Sequence, residues 1–252
     1  MGKGILFDST LCIGCQACSI GCKKAHNLAG EANPPDLDGE TFTIVKELKG
    51  VFCRDFCRHC LKPACVSACP VGALHRLPDG PVVYDGDKCI GCRYCLLACP
   101  YNIPRYQWNK ASPLVRKCDF CIDLLKQGRQ TACAEVCPTG ATRFGKREEL
   151  LPEARERLKN NPTGYYQRIF GESEAGGCSV LLIAGQELAD FGLKVPRIIT
   201  PLPDLTWRHL KEVPAVAVGA GLILTGIWWL SRRKKEVAKA EACQSNNEKG
   251  HE

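Results

Sequence analysis

No H-E-x-x-H, G-x-S-x-G or P-loop motif occurs in the 252 residues of this sequence. The chain therefore lacks the local signatures of zinc proteases, serine hydrolases and P-loop nucleotide enzymes, and no other catalytic constellation replaces them. Aromatic residues make up only 7% and form no stacking platform, which argues against nucleic-acid binding. The opening Met1-Gly2-Lys3-Gly4 leads to no twin-arginine pair and no apolar run, so no export signal is expected on the chain. Leu6 stands where an N-myristoylation signal needs Ser or Thr. Long uncharged apolar runs are absent before Pro214. What the sequence has in abundance is cysteine.

Nineteen cysteines are present, and sixteen fall into four quartets. The first is Cys12, Cys15, Cys18 and Cys22; the second is Cys57, Cys60, Cys65 and Cys69. The third is Cys89, Cys92, Cys95 and Cys99; the fourth is Cys118, Cys121, Cys133 and Cys137. The first and third read C-x2-C-x2-C-x3-C, the bacterial ferredoxin spacing for 4Fe–4S clusters. Pro70, Pro100 and Pro138 follow the final cysteine of the last three quartets. A cubane cluster needs a thiolate at each of four irons. Three closely spaced cysteines let one loop reach three corners, and the fourth ligand comes from elsewhere. Gly14 and Gly91, in the repeated string Cys-Ile-Gly-Cys, ease that wrap and let loop amides donate to sulfur.

The alternatives suit these spacings poorly. Zinc knuckles use two separated C-x2-C pairs, and disulfide frameworks belong to short secreted chains. Four 4Fe–4S clusters and single-electron transfer are expected, with cluster binding supplying part of the folding free energy. Cys53 competes with Cys57 only by breaking the register of the second quartet, and Cys178 and Cys243 read as spare thiols. His59, between Cys57 and Cys60, reads as an ordinary polar residue, and His209 as an interfacial one.

The formal charge of +7 suggests nucleic acid or a membrane surface until the thiolates are counted. Each oxidised cluster with its four thiolates carries about −2, so four bring the total to about −1. The basic excess is then countercharge for buried anions.

Along the chain, Thr41–Leu48 reads as a strand, and Ala73–Arg76 with Val82–Tyr84 as a hairpin turning at Pro78-Asp79-Gly80. Ala68-Cys69-Pro70-Val71-Gly72-Ala73 resembles Val136-Cys137-Pro138-Thr139-Gly140-Ala141, a sign of duplication. Lys146–Lys159 reads as a surface helix, and residues 160–212 as an extended segment along the domain or a partner. Pro214–Leu230 is uncharged, ends in Trp228-Trp229 and is followed by Arg232, Arg233, Lys234 and Lys235. An aromatic belt beside a basic cluster marks a single membrane-spanning helix over a buried core helix, with the basic tail on the cytoplasmic side.

With these features in place, the chain resembles the four-cluster iron–sulfur subunits of respiratory oxidoreductases. Two relatives are nearest in pattern: the β subunit of membrane-bound formate dehydrogenase and the electron-transfer subunit of periplasmic nickel–iron hydrogenase. The strings that carry the resemblance are Asp8-Ser9-Thr10-Leu11-Cys12-Ile13-Gly14-Cys15, Gly91-Cys92-Arg93-Tyr94-Cys95, Cys99-Pro100-Tyr101-Asn102-Ile103-Pro104 and Phe144-Gly145-Lys146-Arg147-Glu148-Glu149-Leu150. The resemblance implies an α+β fold of two ferredoxin-like domains, one inserted in the other, plus a C-terminal transmembrane helix. Residues 1–145 would form the double ferredoxin-like domain, 146–212 a helix and a partner-contacting segment, 213–231 the membrane helix, and 232–252 a polar, irregular cytoplasmic tail. It also implies the ligand sets Cys12, Cys15, Cys18 and Cys137; Cys118, Cys121, Cys133 and Cys22; Cys57, Cys60, Cys65 and Cys99; and Cys89, Cys92, Cys95 and Cys69. The implied role is non-catalytic relay in anaerobic respiration, from a molybdenum or tungsten formate-oxidising subunit to a membrane cytochrome b or quinone-reactive subunit. A nickel–iron hydrogenase partner is the alternative reading, and a free polyferredoxin a third. The implied location is the inner membrane, single-pass, with the cluster domain periplasmic and the C-terminus cytoplasmic.

Overall fold

The computed structural model describes residues 2–248, with side chains described to Lys239. Cys243 lies outside the residues whose side chains are described. The chain divides into two units, Met1–Pro203 and Asp204–Glu252.

The first unit opens with β1 (Lys3–Asp8), whose residues from Ile5 onward are buried, and α1 (Ala17–His26) follows. Strands β2 (Thr43–Leu48) and β3 (Val51–Phe56) form an antiparallel hairpin. Lys49 and Gly50 between them both have positive φ, the geometry of a two-residue hairpin turn matched to strand twist. The sequence reading found only the first of these strands. Short helix α2 (Ala64–Ser67) leads to the hairpin β4 (Leu74–Arg76) and β5 (Val82–Tyr84), where the sequence puts it. Next come α3 (Tyr94–Ala98), the pair β6 (Arg105–Tyr106) and β7 (Val115–Arg116), α4 (Ile122–Lys126) and α5 (Ala132–Glu135).

After the last quartet, β8 (Thr142–Lys146) pairs antiparallel with β1, and α6 (Arg147–Asn160) buries Leu150, Ala154 and Leu158 beneath them. The expected extended segment differs in part. Within it, β9 (Val180–Ile183) is fully buried and pairs parallel with β1, completing the sheet order β8-β1-β9. A run of four apolar residues without alternation is what a strand covered on both faces requires.

Two packings organise the rest: α1 lies against α5, and α2 against α3. The two ends of the cysteine region thus meet.

The second unit is helical. Helix α7 (Leu202–Leu210) begins at the boundary, and α8 (Val213–Glu248) follows after a short turn. The segment Leu202–Lys239 is long and apolar enough to cross a membrane, with mean hydropathy 1.8 over its best window and none of that window buried. Arg232 and Arg233 lie over the rings of Trp228 and Trp229, at 5.5 and 5.4 Å. Helix continues beyond Leu230 to Glu248, where an irregular tail was expected. Ala, Lys and Glu are good helix formers, and Arg232 pairs with Glu236 one turn on.

Candidate metal centre

Each quartet loop makes the same backbone move. The residue just before the second cysteine is left-handed in all four: Gly14 (φ 70), His59 (φ 46), Gly91 (φ 70) and Phe120 (φ 68). This turns the second thiol toward the first. Glycine takes the conformation at least cost; His59 and Phe120 adopt it because packing holds them. Their rings meet edge to face at 4.5 Å, so the second and fourth loops brace one another.

The thiols converge as sets drawn from two quartets. Cys12, Cys15, Cys18 and Cys137 line one partly open space of about 310 Å³, with Phe7, Val45 and Arg54. Cys69, Cys89, Cys92 and Cys95 line another of about 300 Å³, with Leu74 and Val115. Cys22 lies within electrostatic reach of Cys121 and Cys133, and Cys118 of Cys22 and Cys121. Cys99 lies within electrostatic reach of Cys57, and Cys60 and Cys65 within reach of both. The sets also lie within electrostatic reach of one another in succession: Cys18 of Cys133, Cys118 of Cys57, and Cys65 of Cys95.

The electrostatics explain what such sets demand. Burial pushes the Cys118 thiol well above its usual range, and neighbouring thiols push it further. Burial raises Cys65 to about 12 despite the pull of Lys117. At Cys69 and Cys137 burial also raises the value, but converging backbone N–H groups outweigh it and lower both. Those amides come from the duplicated Cys-Pro-x-Gly-Ala strings, whose Gly72 and Gly140 have φ 64 and 67. Backbone N–H groups of Gly91, Phe120 and Thr142 each donate to a cysteine sulfur at 3.4 Å. Several desolvated thiolates around one space need a cationic centre among them, and four converging cysteine sulfurs are the donor set a 4Fe–4S cluster takes.

A family model described as a 4Fe-4S dicluster domain matches residues 48–147. A protein of Nitratidesulfovibrio vulgaris is 36% identical over 259 residues, spanning 96% of this chain and 70% of the relative. The hydrogenase-2 operon protein HybA of Escherichia coli O157:H7 is 38% identical, spanning 72% of this chain and 70% of the relative. The formate dehydrogenase iron-sulfur subunit of Haemophilus influenzae is 35% identical, spanning 88% and 78%. The chain belongs to this family of iron–sulfur electron-transfer subunits.

Within the family frame, several residues gain a place that sequence reasoning missed. His26 follows Cys22 by one helical turn, and its Nε2 lies 2.8 Å from Asp119 Oδ1. With Cys121 these two form a group of potential ligand atoms within 4.8 Å of one another; because Cys121 belongs to the fourth quartet, the pair is support for that loop. Burial alone would lower the His26 pKa, but hydrogen bonds to Asp119, Cys121 and Cys22 raise it. The i, i+4 spacing of Cys22 and His26 was the available signal. Asp8 is buried and fastens the first loop: it accepts from Thr10 N–H at 3.0 Å and from Tyr165 Oη at 2.8 Å, and pairs with Arg157 at 2.7 Å.

The remaining thiols and histidines also differ from expectation. Cys178 is fully buried, with its sulfur 3.9 Å from Cys60 Sγ and 3.3 Å from Tyr101 Oη, so it is packed against a quartet and not remote from all of them. Cys53 is buried in β3 and feels Cys12 more than any other thiol. His59 is completely buried; its Nδ1 accepts from Val82 N–H at 3.0 Å, which puts the ring proton on Nε2. His209 is exposed on α7.

Proposed function

We propose that this chain is a non-catalytic relay holding four 4Fe–4S clusters. The ligand sets are Cys12, Cys15, Cys18 and Cys137; Cys22, Cys118, Cys121 and Cys133; Cys57, Cys60, Cys65 and Cys99; and Cys69, Cys89, Cys92 and Cys95. The observation that carries the reading is the convergence of cysteines from two quartets on one space, as at Cys12, Cys15, Cys18 and Cys137 and at Cys69, Cys89, Cys92 and Cys95, with successive sets in electrostatic reach through Cys18–Cys133, Cys118–Cys57 and Cys65–Cys95. A bound 4Fe–4S cluster supplies one reversible one-electron step. The chain's residues wrap each site, exclude water with Phe7, Val45, Leu74 and Val115, and donate amide N–H bonds that favour the reduced state. The two outer sets reach the more exposed faces, with Ile13 and Ile20 beside one and Ile90 and Leu97 beside the other. The nested pairing supports two ferredoxin-like domains, one inserted in the other.

In this reading the donor is a molybdenum or tungsten formate-oxidising subunit, and the acceptor a membrane cytochrome b or quinone-reactive subunit. The longer coverage of the formate dehydrogenase relative, 88% of this chain, favours that partner. The higher identity of HybA, 38%, favours a hydrogenase as the second reading. Helix α8 would anchor the chain in the inner membrane, with the cluster domain periplasmic and the basic end cytoplasmic. Adding formate or hydrogen to the anaerobic native complex tests the choice. Formate should bleach the cluster absorbance near-completely; bleaching by hydrogen alone would move the chain to the hydrogenase reading. Cys92→Ser should remove about four irons per chain and leave the rest. Unchanged iron content would strike Cys92 from the ligand set.

A further inference from the structure

The largest fully buried side chain among the described residues is a cation. Arg54 lies on β3 with 1% of its surface exposed. A guanidinium cannot shed its charge at any pH the protein meets. Burying one without a counter-ion costs several kcal/mol, on the order of the whole stability of a domain. A carboxylate would be the usual partner. Among the described residues none pairs with Arg54, although Asp55 adjoins it in sequence; Asp55 faces Arg58 at 3.7 Å instead.

The oxygen partners of Arg54 are neutral. Its Nε and Nη2 donate to Thr43 Oγ1 at 3.3 and 3.1 Å, and its Nη1 donates to Thr142 Oγ1 at 2.9 Å. The rings of Phe56 and Phe7 flank it, with centroids at 4.1 and 5.9 Å. Three of the five guanidinium N–H groups are thus used on threonine oxygens, and a further side-chain hydrogen bond runs to Cys133. The threonines and phenylalanines fix the plane of the group but do not neutralise it.

The acidic groups that act on Arg54 most are cysteine sulfurs. Arg54 lines the space enclosed by Cys12, Cys15, Cys18 and Cys137. It also feels Cys133 most strongly, then Cys18, and beyond them Cys118. Cys18 belongs to one thiol set, Cys133 and Cys118 to the next. The cation therefore sits where two sets adjoin, in a dry pocket where little screening intervenes.

We infer that Arg54 is the shared counter-ion of the first two thiol sets and holds their two clusters at a higher reduction potential than the protein otherwise would. This rests on the ligation given under Proposed function. Each cluster with its thiolates goes from about −2 to about −3 on accepting an electron. A fixed buried cation stabilises the more negative state more, so each reduction becomes easier. It also offsets the repulsion between two reduced clusters side by side. Residues of this kind act on potential, not on ligation, which separates Arg54 from the cysteines.

The test is an anaerobic redox titration of the full-length chain, followed by electron paramagnetic resonance, with iron assayed in parallel. Arg54→Gln removes the charge and leaves a shorter polar amide. Two of the four couples should shift to lower potential by at least about tenfold in their reduction equilibrium, which is about 59 mV for one electron. The other two, on the side of Cys65 and Cys95, should stay within about threefold. Arg54→Lys restores the charge and should bring the shifted couples back most of the way. Full iron with unshifted couples in Arg54→Gln would overturn the inference. Loss of iron from Arg54→Gln but not from Arg54→Lys would overturn it in favour of a charge needed for cluster assembly. Equal loss from both would overturn it in favour of a packing role. Should the unaltered chain itself lack iron, the ligation fails and not the role of Arg54 alone.

Discussion

At the residue scale, Gly14 decides whether the first loop can close. A Cβ added there would lie 2.4 Å from the Phe52 ring, and φ of 70 already disfavours any side chain. Gly14→Ala should cost more than about 1 kcal/mol and lower the temperature at which iron is released, followed by absorbance during heating. Gly91→Ala meets only the Tyr106 hydroxyl, at 3.1 Å, and should be milder. The sequence made this legible, because glycine before the second cysteine repeats. It hid the equivalent roles of His59 and Phe120, since nothing local tells that a histidine or phenylalanine is held left-handed by a distant loop.

The His26–Asp119 pair carries a pH signature at the same scale. Burial raises the Asp119 pKa, but the His26 hydrogen bond and charge outweigh this and lower it. A depressed carboxyl contributes stability that is full above its unfolded value of about 3.9 and is lost as pH falls through the lower folded value. His26 is raised, so its share is full below about 6.5 and is lost only as pH rises through its folded value. Between those limits both act together. Asp119→Asn should therefore cost about 1–3 kcal/mol near neutral pH and flatten the acid side of the stability profile, measured by chemical denaturation. A mutant profile that overlays the parent's would deny the pair a stabilising role.

At the element scale, the hairpin of β4 and β5 and helix α6 were legible because Pro78-Asp79-Gly80 and the leucine spacing are local signals. Strand β9 was not, because Val180–Ile183 has no alternation and its partner, β1, lies almost the whole unit away in sequence. Helix α8 rests on composition: an uncharged run, two tryptophans and four basic residues in succession. Its residues from Val216 to Leu230 expose large apolar side chains to more than half their surface, which water does not favour. Truncation before Val213 should convert the chain expressed alone from membrane-bound to soluble and abolish quinone reduction by the complex, while dye reduction persists. Sedimentation of the truncated chain with membranes would deny the helix its anchoring role. In spheroplasts, added protease should cut the cluster domain and spare the basic end; the reverse pattern would invert the orientation.

At the scale of the whole molecule, the cysteines do the work that a larger apolar core would otherwise do. Apolar clusters exist around Phe7, Phe56 and Phe120, around Leu6 and Leu181, and around Leu74 and Val82, yet each includes or borders a thiol set or the sheet that carries one. Quartet membership was readable from spacing alone. The crossing of partners between quartets was implied only by resemblance, because spacing along a chain does not say which loops meet in space. Arg54 left no trace in the sequence, since a buried cation and an exposed one look alike there. The central claim, that sixteen thiols hold four iron–sulfur clusters in a row, is tested most directly by metal and sulfide analysis of the anaerobically purified full-length chain. About sixteen irons and sixteen acid-labile sulfides per chain are expected; about four zinc ions with no sulfide would contradict it.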